Sequence, residues 1–496
     1  MNFDYLCPLK LIHQTIMKPN EVSRRSFLKK AAVISVAAGA MPTILTSVQG
    51  STKAAPFKLA PANERVNLAC CGIGNQGGGI IEAFHRTGLC NIVALCDVDM
   101  GARHTAKIME MFPEAKRFQD FREMFDKMGN QIDAVTAGVP DHSHFPIAIT
   151  AMKSGKHIFS EKPLGRTFYE NELLIKAAKK YPKVATQMGN QGHSEGNYFQ
   201  FKAFVDAGII RDVTAITAHM NSSRRWHGWD PNIKNFPLAE PIPSTLDWDK
   251  WLTMGQYRDY NKDYVNGQWR CWYDFGMGAL GDWGAHLIDT AHEFLDLGLP
   301  YEVNPLKLEG HNPFFFPMAS TLLFRFPARG KMPACDITWY DGVDNLPPIP
   351  EGFGVAGLDP DIPPPTTGTL EAKLNPGKII YSKTLTFKGG SHGSTLSIIP
   401  EAKAKEMASM LPEVPRSPSN HYKNFLLACK SEEKTRSPFE ISGPLSQVFS
   451  LGVMAQKLNM KIEFDRKKKK ITNSKSAQDL LVGPPPRKGW EQYYKI

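Results

Sequence analysis

The stretch Cys71-Gly72-Ile73-Gly74-Asn75-Gln76-Gly77 decides the fold. It joins the apolar run Val66-Asn67-Leu68-Ala69-Cys70-Cys71 to a segment that places Ile80, Ile81 and Phe84 on one helical face. A strand, a G-x-G-x-x-G turn and a helix in that order form a phosphate cradle. Gly72 permits the tight turn, Gly74 lets the backbone approach a pyrophosphate, and Gly77 lets helix and strand pack closely. The helix N-terminus adds free N–H groups, through Asn75 and Gln76, and about half a positive charge. A second apolar run, Ile92-Val93-Ala94-Leu95-Cys96, ends at Asp97, twenty-five residues after Gly72. A carboxylate there accepts both ribose hydroxyls and repels a 2′-phosphate, so the spacing predicts NAD rather than NADP. Asp99 is a second candidate for that role, and a plain acidic turn is the alternative for both.

Working outward, Ala134-Val135-Thr136-Ala137, His157-Ile158-Phe159 and Val184-Ala185-Thr186 read as further strands. Helices are expected between them at 147–153 and 170–180. Strands alternating with helices predict an α/β fold with a doubly wound parallel sheet. After about residue 190 the pattern changes. Val213 to Met220, Leu322 to Phe326, Cys335 to Tyr340, Ile379 to Ser382 and Leu385 to Lys388 are strand-like with few helices between them. They predict a second, C-terminal α+β domain with a mostly antiparallel open sheet, closed by helices at 420–429 and 446–458. Pro347 to Pro365 reads as a loop. The expected organisation is a signal and linker over 1–55, a Rossmann domain over 64–190 and a substrate and oligomerisation domain over 191–496.

The formal charge of +10 over 496 residues invites a nucleic-acid reading. Half of it lies in residues 1–55, which hold seven bases and two acids. A further basic run, Arg466 to Lys470, reads as a solvated turn, so no nucleic-acid partner is expected. Ser23-Arg24-Arg25-Ser26-Phe27-Leu28-Lys29-Lys30 precedes the apolar, alanine-rich stretch Ala31 to Ile44 and resembles a twin-arginine export signal. The stretch is short and weakly apolar, so no stable membrane span is expected; an uncleaved signal-anchor helix is the other reading. A periplasmic location follows from the first. Eight cysteines show no CxxC pair and no zinc spacing, and neither a disulfide framework nor a metal site is expected.

Two more stretches carry chemistry. Ser160-Glu161-Lys162-Pro163 ends a strand of the first sheet, where open α/β sheets bind ligands. Asp282 and His286 stand four apart in Gly278 to Asp289 and share one face if that segment is helical. A histidine takes a hydroxyl proton well, and an acid beside it orients the ring and stabilises its charged form. Asp289 and His292 nearly repeat that spacing, and a solvated helix face is the alternative reading for one of the two pairs.

Together with the glycine turn, these stretches resemble the Gfo/Idh/MocA oxidoreductases, over nearly all of the chain from about residue 64. The resemblance implies a nicotinamide enzyme acting at a ring hydroxyl of a sugar, polyol or glycoside. It assigns Lys162 to the family's E-K-P lysine and Asp282 with His286 to its D-x-x-x-H pair, with His286 as acid/base. Pro140, Asp141 and His144 match its turn beside the cofactor; a metal reading of His142 and His144 is the lesser alternative. Gln191 lies in a strand-end turn resembling the one near the nicotinamide. The cofactor ligands implied are thus Gly72, Gly74, Asn75, Gln76, Gly77, Asp97, Pro140, His144, Glu161, Lys162 and Gln191. Substrate contacts are expected from Lys162, Trp272, Asp282 and His286.

Seven of nine tryptophans, Trp226, Trp229, Trp248, Trp251, Trp269, Trp272 and Trp283, crowd the segment leading to Asp282. They suit stacking on a sugar face, or alternatively core packing or a subunit contact. Arg224, Arg225 and Arg270 are candidate ligands for hydroxyls or an acidic group. Three functional readings follow: a dehydrogenase, a redox-neutral glycosidase using the same parts, and a sugar-binding protein with structural NAD. A homo-oligomer through the C-terminal sheet is expected for each.

Overall fold

The computed structural model describes residues 61, 64–220, 231–353 and 375–496. The twin-arginine segment, Arg224, Arg225, Trp226, Trp229 and much of the Pro347–Pro365 connection lie outside the described residues.

Among the described residues the first sheet has six parallel strands in the order β3-β2-β1-β4-β5-β6. They are β1 (Val66–Cys71), β2 (Cys90–Cys96), β3 (Lys116–Phe118), β4 (Ala134–Ala137), β5 (His157–Ser160) and β6 (Thr186–Met188). Helices α1 (Asn75–His85), α2 (Arg103–Met111), α3 (Phe121–Met128), α4 (Asp141–Lys153) and α5 (Phe168–Lys180) connect them. The order reverses between β1 and β4, which opens a crevice at their carboxyl ends. Leu68, Ala69 and Cys70 are fully buried, as expected of strands covered on both faces. Burying a side chain such as Leu68 contributes roughly 1.5–3 kcal/mol.

Three sequence expectations shift here. The sixth strand starts at Thr186, because the Val184 N–H closes a turn onto the Tyr181 carbonyl. Strand β3 escaped the reading because it is a three-residue, half-exposed edge holding Lys116 and Arg117. Helix α4 starts at Asp141, six residues before the apolar pattern that announced it, and carries the Pro140–His144 turn into its first turn.

Among the described residues the second sheet has nine strands in the order β13-β12-β11-β7-β10-β9-β8-β14-β15. In chain order these are β7 (Val213–Met220), β8 (Glu302–Glu309), β9 (Ala319–Phe326), β10 (Cys335–Asp341), β11 (Gly377–Ser382), β12 (Thr386–Gly390), β13 (Ser397–Ile399), β14 (Ile462–Asp465) and β15 (Lys470–Ile471). Every pair is antiparallel except β7 with β10. The basic run ends as the β14–β15 hairpin, with Asp465 accepting from the Lys467 and Lys468 N–H groups.

Among the remaining helices are α6 (Gly196–Asp206), α7 (Gly278–Leu287), α8 (Asp289–Phe294), α9 (His421–Cys429) and α10 (Phe439–Leu458); α9 packs on α1, and α10 packs on α5, α7 and β8. Helix α10 begins seven residues earlier than its apolar run indicated. Gly443 and Pro444 interrupt the helical pattern of that first part, yet Gly443 permits close packing: a Cβ there would lie 2.4 Å from Ile175 of α5. In the same way Gly284 lets α7 lie against Phe449 of α10, where a Cβ would sit 2.7 Å from the ring. That contact sets the depth of α7 and of His286 upon it. Among the described residues no helix is long and apolar enough to cross a membrane.

Candidate active site

A cavity of about 700 Å³ opens at the β1–β4 reversal and runs to α7. That is the size of a typical small-molecule or cofactor site. Its floor is the glycine turn. Gly72 has φ +76°, and a Cβ there would lie 2.4 Å from the Gly138 carbonyl oxygen. A Cβ on Gly77 would fall 2.1 Å from the Gly72 oxygen. Gly74, Asn75 and Gln76 line the cavity where α1 begins.

Asp97, directly after β2, faces the same cavity. Its carboxylate accepts from the Ile73 N–H at 2.9 Å and from the Asp99 N–H at 3.0 Å, which ties β2 to the glycine turn. Burial pushes the Asp97 carboxyl upward, and these two N–H groups oppose that shift. Asp99 also lines the cavity, and its buried Oδ1 has no hydrogen-bond partner among the described residues.

The loop after β5 delivers Glu161 and Lys162. The loop is fixed downstream by a capping box on α5: Thr167 Oγ1 accepts from the Glu170 N–H at 3.1 Å, and Glu170 accepts from the Thr167 N–H at 3.0 Å. Lys162 Nζ donates to the Asp282 carboxylate at 2.6 Å and to the Asp282 carbonyl at 3.0 Å. Arg270 Nε stands 3.7 Å from the same carboxylate oxygen, and its guanidinium lies over the Trp269 ring at 4.1 Å. Glu161 is buried beside them; desolvation raises its carboxyl, and Oε1 has no hydrogen-bond partner among the described residues. Two buried acceptors lining one cavity, on Asp99 and Glu161, match a ligand rich in hydroxyl and amide donors. With the glycine cradle they fit a dinucleotide.

Helix α7 brings His286 into the cavity one turn after Asp282. Its ring stacks on His392, from the loop between β12 and β13, with centroids 4.0 Å apart and planes at 17°. The turn Pro140–His144 lines the cavity and also clasps the lead-in to α7. Asp141 accepts from the Met277 N–H at 3.0 Å, and the His142 N–H donates to the Phe275 carbonyl at 3.2 Å. The ring nitrogens of His142 and His144 face backbone carbonyl oxygens of Trp251 and Phe275, and of Pro163 and Val139. Burial lowers both imidazoles to about 4. These rings are framework, committed to the backbone rather than to a cation.

The cavity gathers Gly72, Gly74, Asn75, Gln76, Gly77, Asp97, Pro140, His144, Glu161, Lys162, Gln191, Asp282 and His286, all singled out from the sequence. Trp272 corrects that set. It is 1 % exposed, packs among Tyr264, Phe236 and Phe315, and donates its indole N–H to the Asp263 carbonyl at 2.8 Å. It belongs to an aromatic core with Trp248, so it lies away from the lining. Trp251, Trp269 and Trp283 reach the cavity instead. Sequence reasoning missed His392, His104 and Trp490, all in the lining. A histidine inside Gly389-Gly390-Ser391-His392-Gly393 was the one legible signal, a polar side chain at a tight turn. Trp490 arrives from the C-terminal tail, where the Arg122 guanidinium lies over its ring at 4.4 Å.

Residues 66–189 match the family described as "Oxidoreductase family, NAD-binding Rossmann fold", and residues 197–312 match "Oxidoreductase family, C-terminal alpha/beta domain". Both matched segments are domains of the Gfo/Idh/MocA oxidoreductase family. The chain is 29% identical over 196 residues to an inositol 2-dehydrogenase of Salmonella paratyphi B, covering 37% of this chain and 55% of the relative. It is 30% identical over 186 residues to an alpha-N-acetylgalactosaminidase of Shewanella oneidensis, covering 34% of this chain and 40% of the relative. The matches thus span about half the length of these relatives. The fold is shared with the WlbA dehydrogenase of Bordetella pertussis, solved with NADH and UDP-GlcNAcA. The TM-score is 0.52 at 13% identity, over 81% of this chain and 99% of that one.

Proposed function

We propose that this chain is an NAD-dependent oxidoreductase acting at a ring hydroxyl of a sugar, polyol or glycoside. One observation carries the reading: a single cavity holds the glycine cradle at one end and Lys162, Asp282 and His286 at the other. NAD, when bound, supplies the hydride acceptor for the carbinol C–H. The chain's own residues do the rest. Lys162 holds the reacting hydroxyl oxygen, and His286 takes its proton as the carbonyl forms. Asp282 fixes Lys162 through the 2.6 Å bond and shares its charge with Arg270. Trp269 and Trp283 offer faces for a sugar's C–H surface.

A second reading uses the same groups without net redox change: a glycoside hydrolase acting by transient oxidation and elimination. The relative named as an alpha-N-acetylgalactosaminidase supports it. Incubation with inositols, aldoses and nitrophenyl glycosides separates the readings. Stoichiometric growth of absorbance at the reduced-nicotinamide band marks the dehydrogenase; released nitrophenol without that band marks the hydrolase. Neither signal on any sugar, with NAD and sugar bound, would overturn both in favour of a binding protein.

The twin-arginine pattern supports export to the periplasm of an enzyme already folded around its nucleotide. The open C-terminal sheet supports assembly into a homo-oligomer. Chain-length measurement of the secreted protein and light scattering test these two points.

A further inference from the structure

The loop between β12 and β13 is built to hold one side chain in place. His392 adopts φ +54°, a left-handed conformation that costs free energy in a non-glycine residue and persists where the surroundings enforce it. Its N–H donates to the His286 carbonyl at 3.0 Å, and its Nδ1 lies 3.0 Å from Ser391 Oγ. The Asn197 N–H grips the next carbonyl, that of Gly393, at 3.0 Å. The Gly192 backbone closes the other side, where a Cβ would meet the His392 oxygen at 2.9 Å. So fixed, the His392 ring stacks on His286 and meets the edge of Trp283 at 5.5 Å, and all three line the cavity.

We infer that His392 is a positioning residue for the acid/base step, stacked on His286 so that the two imidazoles share one positive charge. The inference rests on the reading of His286 as acid/base. Two cations 4 Å apart repel strongly, so protons enter such a pair in two steps separated by more than about one pH unit. The pair therefore keeps one neutral ring to accept the substrate proton over a wide pH range, and the stack holds that ring flat against the loop. The charged groups around the pair are Glu161 and Lys162 after β5, Arg270, Asp282 and Asp289 on the adjoining helices, and Glu195 against Gly393. They are the same in each variant below, so differences report the pair.

The test is imidazole Cε1–H NMR titration of the full chain with labelled histidine, in the wild type, His392→Gln, His392→Phe and His286→Gln. In the wild type one ring of the pair is expected to titrate more than about one pH unit below its value in the single variant that lacks its neighbour. Identical titrations in wild type and single variants would overturn the inference. The kinetic companion is the pH profile of kcat on a responsive sugar. His392→Phe, which keeps a stacked ring, is expected to retain KM and move the acidic limb by a similar amount; a raised KM with an unmoved limb would also overturn it. The underlying reading fails separately, if His286→Gln leaves turnover intact. A shift in NMR titration without any effect of His286→Gln would therefore condemn the reading and spare the coupled pair.

Discussion

Two acid–histidine pairs stand on consecutive helices, Asp282 with His286 on α7 and Asp289 with His292 on α8, and the structure treats them oppositely. The first lines the cavity, and its carboxylate receives Lys162 from the end of β5. The second is closed into the protein. His292 Nε2 bonds the Gly298 carbonyl at 2.9 Å, and burial lowers its imidazole to about 4. Asp289 faces His193 at 3.3 Å, and its carboxylate accepts from the Thr290 N–H at 2.8 Å. Spacing along a helix makes a pair adjacent; a partner from a distant strand end makes it a site. Every group that distinguishes α7 from α8 comes from elsewhere in the chain: Lys162, Arg270 and His392.

The largest expected effect breaks the first pair's link to β5. Lys162→Ala should lower kcat on a responsive sugar by about a hundred- to ten-thousand-fold, with NAD binding by calorimetry little changed. Equal losses in both would mean that Lys162 serves the cofactor alone. Asp282→Asn leaves Lys162 and Arg270 as neighbouring cations without their counter-charge. It should cost roughly 3 kcal/mol in urea unfolding and activity besides; an unchanged midpoint would show that the carboxylate is not holding them.

The second pair should speak through stability. With the His292 imidazole near 4 when folded and at its ordinary value of 6.5 when unfolded, the unfolded chain binds more protons between those limits. Stability contributed by this residue is thus present above pH 6.5 and falls as the pH drops toward 4, by about 3 kcal/mol in all. His292→Asn should flatten that part of the pH–stability curve while leaving turnover per folded molecule unaltered. A smaller effect sharpens the other end of the cavity. Gly77→Ala pushes a methyl into the Gly72 carbonyl, and NAD affinity should drop about tenfold or more, one factor of ten being 1.4 kcal/mol; unchanged affinity would show that the α1–β1 contact yields.

The parts of this molecule that the sequence revealed are local. The glycine turn, the second strand ending at Asp97 and the strand ending at Glu161-Lys162 each sit within a few residues of the apolar run that announces them. Eight cavity residues were readable in this way, and the resemblance added Pro140, His144, Gln191, Asp282 and His286. Those that were not depend on contacts across the chain. Trp272 shared the composition of its neighbours, and only the packing of Tyr264 and Phe315 around it shows that it is core. Strands β8 and β14 are half-polar, and their pairing, Ile462 with Val303, joins segments far apart in the chain. His392 is brought to His286 by a loop more than one hundred residues later, and no spacing rule reaches that far.

The most direct test of the account is single-turnover reduction of bound NAD by an excess of a reactive sugar, followed at the reduced-nicotinamide band for the wild type, His286→Gln and His292→Gln. The account predicts wild-type rates for His292→Gln and a loss of about a hundredfold or more for His286→Gln, with nucleotide affinity equal in all three. A wild-type rate from His286→Gln, or an equal loss from His292→Gln in folded protein, would contradict it.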